Sequence, residues 1–150
     1  MRSRWSAPFR FCPTPLPPPA RNMPIPLWWS TRIRFGRRSE ILGAAYLRSL
    51  GFKVVASSYR TRDGEVDLIA WDGDQLVFVE VKSRRSEDPP EDVVNTQKRE
   101  RIARAAASYI ARYRLQDRPY RFDILAVTER PGRKPEFRLL RNAFQGRDTF

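Results

Sequence analysis

The sequence predicts an α/β (α+β) domain, a helix-flanked mixed sheet in the order α-β-β-β-α-β-β. Three observations predict it. Two apolar strands flank a turn through Asp72-Gly73-Asp74. Two segments with helix-period apolar residues stand before and after this strand-rich stretch. A further pair of strand-like runs follows the second helix, which calls for helices packed on a sheet.

The first helix is expected from about Ser39 to Leu50. Ser39 is placed as the N-cap, and Glu40 suits the positive end of the dipole. Ile41, Leu42, Ala45 and Leu50, helped by Ala44 and Leu47, supply its apolar face, and Gly51 ends it as an αL residue. Phe52–Ser58 reads as a strand and Tyr59–Asp63 as a polar connection. Glu65–Trp71 and Gln75–Lys82 form a hairpin, followed by a charged loop ending in Pro89-Pro90. A second helix is expected from about Val93 to Tyr113, with Ile102, Ala105, Ala106, Tyr109, Ile110 and Tyr113 toward the core. Tyr120–Thr128 and Phe137–Leu140 are the last two strands, separated by a turn through Pro131-Gly132-Arg133.

At 150 residues the chain suffices for one domain with a real core. Its net charge is +12, but residues 1–38 contain eight Arg and no acid, so the remainder carries only +4. Residues 1–35 also hold eight of the thirteen prolines. They read as a disordered Pro/Arg-rich tail, with Met23 as an alternative start, before a domain at 36–144 and a short tail at 145–150. A basic domain suits a polyanionic partner. No run approaches the roughly 18 apolar residues of a membrane helix. There is no His, which excludes Ser-His-Asp and Cys-His catalysis and His-containing zinc sites. The single cysteine, Cys12, forms no intrachain disulfide and suits a reducing cytoplasm. Acid–base and metal chemistry therefore rests on Asp, Glu, Lys and Tyr.

The hairpin carries those groups. Strand side chains alternate, so Glu80 shares a face with Lys82, and Glu65 shares one with Asp67. Pairing Asp67 with Glu80 places Trp71 opposite Leu76. A shorter turn would pair Glu65 with Glu80 instead. Either register gathers carboxylates on one face. Opposed Cβ atoms lie about 4.5–5.5 Å apart, so two such carboxylates repel unless one is protonated or a cation separates them. Mg²⁺ (or Mn²⁺) is the expected cation, with Lys82 orienting a water or stabilising charge on a phosphodiester. The plainer alternative is a Glu80–Lys82 ion pair at a solvated strand end.

The segment Gly64-Glu65-Val66-Asp67 followed by Phe78-Val79-Glu80-Val81-Lys82-Ser83-Arg84 resembles the signature of the PD-(D/E)xK, restriction-endonuclease-like nucleases. The wider pattern resembles the YraN family of bacterial proteins: Gly36 to Glu40 with Ala44, Ala45 and Leu47, then the hairpin, Lys98-Arg99-Glu100-Arg101-Ile102, and Arg121-Phe122-Asp123. It covers about residues 36–144, and archaeal Holliday-junction resolvases are similar. The resemblance implies an αβββαβ core and a Mg²⁺ site of Glu40, Asp67 and Glu80 beside Lys82. From the residues alone, Glu40 is a dipole partner. Val66 stands where the superfamily signature has Pro, and Gln97 is followed by Arg101 rather than the Tyr of exonuclease-like relatives.

Arg84 and Arg85 are the cations nearest a scissile phosphate, and Lys98, Arg101, Arg104 and Arg112 form a second basic stripe. Asp123 is expected to pair with Arg121 or a helix Arg. The functional expectation is a Mg²⁺-dependent endonuclease acting on DNA, branched or damaged, with a homodimer implied by the junction resolvases. Its rival is a nucleic-acid-binding module without catalysis, and a third reading is an adaptor whose acids only form ion pairs.

Overall fold

Residues 27–84 and 95–146 are described by the computed structural model, with side chains from 37 to 83 and from 95 to 146. The elements are α1 (Leu27–Ser49), β1 (Lys53–Arg60), β2 (Glu65–Asp72), β3 (Gln75–Arg84), α2 (Thr96–Tyr113), β4 (Tyr120–Thr128) and β5 (Glu136–Phe144). Their order matches the expected α-β-β-β-α-β-β, and they build a mixed α+β fold. The five strands lie in the order β1-β2-β3-β4-β5. Only β3 and β4 run parallel, and α2 is the crossover between them.

Alternation along β3 separates two cores. Val77 and Val79 pack with Leu68, Ala70, Leu125 and Val127 beneath Ala44 and Leu47 of α1. Leu76 and Phe78 pack with Ile69 and Phe122 beneath Ile102, Ala105, Ala106, Tyr109 and Ile110 of α2. The sheet is thus covered by one helix on each face. The strands are correspondingly apolar, since β3 is buried from Leu76 to Glu80.

Helix α1 begins at Leu27, well before the expected Ser39, so residues 27–35 are helical rather than tail. Ser39 is not an N-cap. It lies inside the helix, 1% exposed, and its Oγ has no hydrogen-bond partner. The buried stripe runs through Ser39, Gly43 and Leu47 with Ala44. Ile41 and Ala45 sit two residues off that stripe, about 200° round the helix. That is why Ile41 is 69% exposed and Ala45 is also exposed, against expectation. At Gly43 the helix comes so close to the sheet that an added Cβ would stand 2.9 Å from Leu125 Cδ2. The C-terminus is as expected. Gly51 has φ +91°, and Phe52 N–H and Gly51 N–H donate to the carbonyls of Leu47 and Arg48.

Helix α2 starts at Thr96, capped by Asn95, whose side chain accepts from Lys98 N–H. Tyr109 is buried against Tyr59 and Phe78, while Tyr113 is 40% exposed in the last turn of the helix rather than in the core. Strands β1 and β5 run longer than expected, to Arg60 and Phe144. The expectations for residues 1–26, Arg85 and residues 147–150 lie outside the described residues. Among the described residues no helix is long and apolar enough to cross a membrane.

Candidate active site

The β2–β3 hairpin adopts the register in which Trp71 faces Leu76. Asp72 pairs with Gln75, so the turn is only Gly73-Asp74, with Gly73 at φ +60°. The paired ladder ends at Leu68–Val79. One step further, where Asp67 would face Glu80, Val81 N–H donates to Asp67 Oδ2 at 2.8 Å. The Asp67 side chain has taken the place of a ladder carbonyl, and the two carboxyls meet where β2 parts from β3. On the other side of Asp67, β1 is irregular. Ser58 stands between the pairs Ser57–Leu68 and Tyr59–Val66, has φ +49°, and donates its hydroxyl to Glu40 Oε2.

Burial sets the electrostatics. Glu80 is 5% exposed, and desolvation with the charge of Asp67 pushes its pKa up to about 7. Desolvation also raises Asp67, against the Val81 N–H that favours its ionised form. The two carboxyls are within hydrogen-bonding reach of each other, which favours the ionised form of Asp67 and the protonated form of Glu80. Glu40 is raised too, by its burial and by Asp67, with Ser58 acting the other way.

Two lysines face Glu80. Lys82 Nζ is 3.9 Å from Oε1 and about one-third exposed. Lys98, from the first turn of α2, is closer: 3.2 Å from Glu65 Oε1 and 3.5 Å from Glu80 Oε2. Its burial lowers its pKa, but Glu80, Asp67 and Glu65 together raise it further. Glu65 is desolvated as well, yet Lys98 and Arg60 hold its pKa below the usual value. The Lys98 contact at 3.5 Å does not complete a hydrogen bond, and Glu80 Oε2 is a buried oxygen with no donor.

The structure brings Asp67, Glu80 and Lys82 near one another, whereas Lys98 was expected on a basic stripe with Arg101 and Arg104. The structure turns Lys98 inward and leaves Arg101 and Arg104 exposed, Arg104 Nε donating to the Asp63 carbonyl at 3.2 Å. The Arg84 side chain lies outside the described residues, like Arg85. Glu65 was expected to share a face with Asp67 or to stand opposite Glu80, and nothing in its local pattern announces its partner 33 residues away. Asp123 is fully buried and pairs with Arg121 at 3.0 Å, as one of the two expected pairings. It lies opposite Val79 on the α1 side, whereas Glu80 faces α2, so it does not join the carboxylate pair.

The region that carries these residues is similar to known proteins. Residues 39–127 match the model of an uncharacterised protein family, UPF0102. The chain belongs to this family, the YraN family. A UPF0102 protein of Solibacter usitatus is 47% identical over 113 residues, covering 73% of this chain and 84% of the relative. A UPF0102 protein of Symbiobacterium thermophilum is 42% identical over 113 residues, covering 74% and 96%. One from Geotalea uraniireducens is 38% identical over 112 residues, covering 73% and 88%. The UPF0102 match spans α1 from Ser39 through most of β4, and so includes Glu40, Asp67, Glu80, Lys82 and Lys98.

Whether these residues fit a divalent metal is a question of donors. Among the described residues no three of His, Cys, Asp and Glu form a group able to hold a metal ion. Glu40 is turned to Ser58 and is not gathered with the other two. Asp67 and Glu80 do converge, with one oxygen lacking any donor. Mg²⁺ is commonly held by one or two carboxylates, the rest of its shell being water and phosphate oxygens. The pair fits that two-carboxylate arrangement.

Proposed function

We propose that this UPF0102 protein is a Mg²⁺- or Mn²⁺-dependent endonuclease that hydrolyses phosphodiester bonds in DNA. The observation that carries the reading is the buried Asp67–Glu80 pair at the open end of a hairpin: Lys82 approaches Glu80 Oε1, and Lys98 approaches Oε2, which has no donor. Asp67 and Glu80 would hold the metal, with Glu40 near enough to add to the site's negative charge. The metal supplies activation of water and neutralisation of charge on the phosphodiester. Lys82 extends from the same face as Glu80 and is one-third exposed, so its ammonium orients the attacking water and stabilises charge on the phosphoryl oxygens. Exposed Arg101 and Arg104 on α2 offer phosphate contacts that position a strand without reading its sequence. The resemblance to junction resolvases makes branched DNA the first substrate to try, and a dimer in the cytoplasm the arrangement to look for.

The test is cleavage of junction, flap and single-stranded DNA with Mg²⁺ or Mn²⁺. Asp67→Ala and Glu80→Ala are expected to abolish it while leaving salt-sensitive binding intact. Lys82→Ala is expected to lower the rate on the order of 100-fold or more. Equal cleavage by wild type and the two acid variants overturns the assignment. Binding without cleavage by any form favours instead a nucleic-acid-binding module, a reading supported by the lack of a three-donor group among the described residues.

A further inference from the structure

Lys98 holds an unusual position. A cation in the first turn of a helix opposes the helix dipole, and α2 has no acid there to offset it. Its ammonium is drawn in by three carboxyl-bearing residues of β2 and β3: Glu65, Asp67 and Glu80. The contacts are unequal. Glu65, the outer partner, takes a hydrogen bond at 3.2 Å, whereas Glu80 Oε2 is met at 3.5 Å without one. The helix start is anchored separately by the Asn95 cap, so the side chain can move without the backbone. Its four-carbon stem is flexible.

We propose that Lys98 is the resident cation of this acidic cluster, standing in the metal-free chain at the Glu80 oxygen that a divalent cation takes up, and withdrawing to Glu65 when the cation binds. This rests on the reading of Asp67 and Glu80 as the metal pair. The physical reason is exclusion by like charge. An ammonium and a divalent ion cannot both sit within contact distance of one buried carboxylate oxygen unless one retreats. Glu65 is the retreat, being two-thirds covered, already bonded to Lys98, and flanked by Arg60 at 3.6 Å. Lys98 thus keeps the empty site from accumulating uncompensated negative charge, and it weakens metal binding in proportion to what it contributes when the metal is absent.

The experiment is Mn²⁺ titration of the full chain by calorimetry, with thermal unfolding at zero and saturating Mn²⁺. Wild type is compared with Lys98→Met, Lys98→Gln and Glu80→Gln. Lys98→Gln keeps a hydrogen-bond donor for Glu65 and guards against a folding failure of Lys98→Met. The expected result is Mn²⁺ binding about tenfold tighter in the neutral Lys98 variants, in the usual range of coupling between sites. Their metal-free melting temperature should fall and their metal-induced rise should grow. Unchanged or weaker Mn²⁺ affinity in both variants overturns the proposal. If wild type still binds Mn²⁺ and Glu80→Gln does not, the metal reading survives that failure. Absence of Mn²⁺ binding in wild type and in every variant overturns both.

Discussion

Glu80 is the residue on which the site's pH behaviour turns. Its folded-state pKa is raised to about 7, above the ordinary 4.5, because burial and Asp67 disfavour its charge. A carboxyl raised in this way favours folding below its unfolded pKa, and that contribution is lost as pH rises through the folded value. In chelator-treated protein the stability of wild type should therefore fall between about pH 4.5 and 7. Glu80→Gln should flatten this fall, gaining about 1–3 kcal/mol relative to wild type across the window. Urea midpoints measured from pH 4 to 8 check this. Glu65 works in the opposite sense, since its lowered pKa contributes stability that is lost only at more acid pH. A second residue prediction concerns Ser39. As an N-cap, its replacement by Ala would cost about 1 kcal/mol. Buried inside α1 with an unpartnered Oγ, it should behave the other way. Ser39→Ala is expected to stabilise by about 1 kcal/mol, through better helix propensity and removal of a buried unpaired hydroxyl. A thermal melt decides the sign.

At the scale of elements, the site depends on how closely α2 rides over the turn between β1 and β2. A Cβ on Gly64 would stand 1.8 Å from the Arg101 carbonyl oxygen. That obstacle is helix backbone, so a side chain cannot swing aside to relieve it. Gly64→Ala is expected to push α2 away and cost about 1–3 kcal/mol in urea unfolding. The same shift should weaken the Lys98–Glu65 contact, lowering the helix-coupled effects of Lys98 substitution. The element scale also shows what was readable. The hairpin and the shared face of its carboxylates followed from apolar alternation and a turn, both local properties, whereas the choice of Asp67 over Glu65 as the neighbour of Glu80 was left to the structure. Helix α1 was readable only at its C-terminal end, where Gly51 signals the stop. Its start was hidden because prolines crowd the chain up to Pro26 and an Arg-rich run follows. The last proline just before Leu27 was the usable signal.

The whole molecule is tied at the end of the sheet remote from the lysines. Arg121 Nε donates to both Asp123 oxygens, Nη1 to Gln75 Oε1 and Nη2 to Asp72 Oδ2, and Asn142 N–H adds a fourth strand through Asp123 Oδ1. Strands β2, β3, β4 and β5 therefore meet at one nearly buried guanidinium, 10% exposed. Removing it strands the fully buried Asp123 charge. Arg121→Met is expected to cost about 3–5 kcal/mol, read as a drop in the urea midpoint. Metal affinity of the folded fraction should stay near wild type, because Asp123 lies on the other face of the sheet from Glu80. The sequence by itself determined the element order, the two-faced strands and the gathering of hairpin carboxylates on one face beside Lys82. These follow from periodicity and turn chemistry, which act over a few residues. Only the tertiary structure decided that Ser39 is interior, that Glu40 leans on Ser58, and that Lys98 enters the acidic cluster to meet Glu65 and Glu80. Those outcomes depend on how helices settle on opposite faces of a twisted sheet, and no local pattern encodes a contact between elements that packing alone brings together.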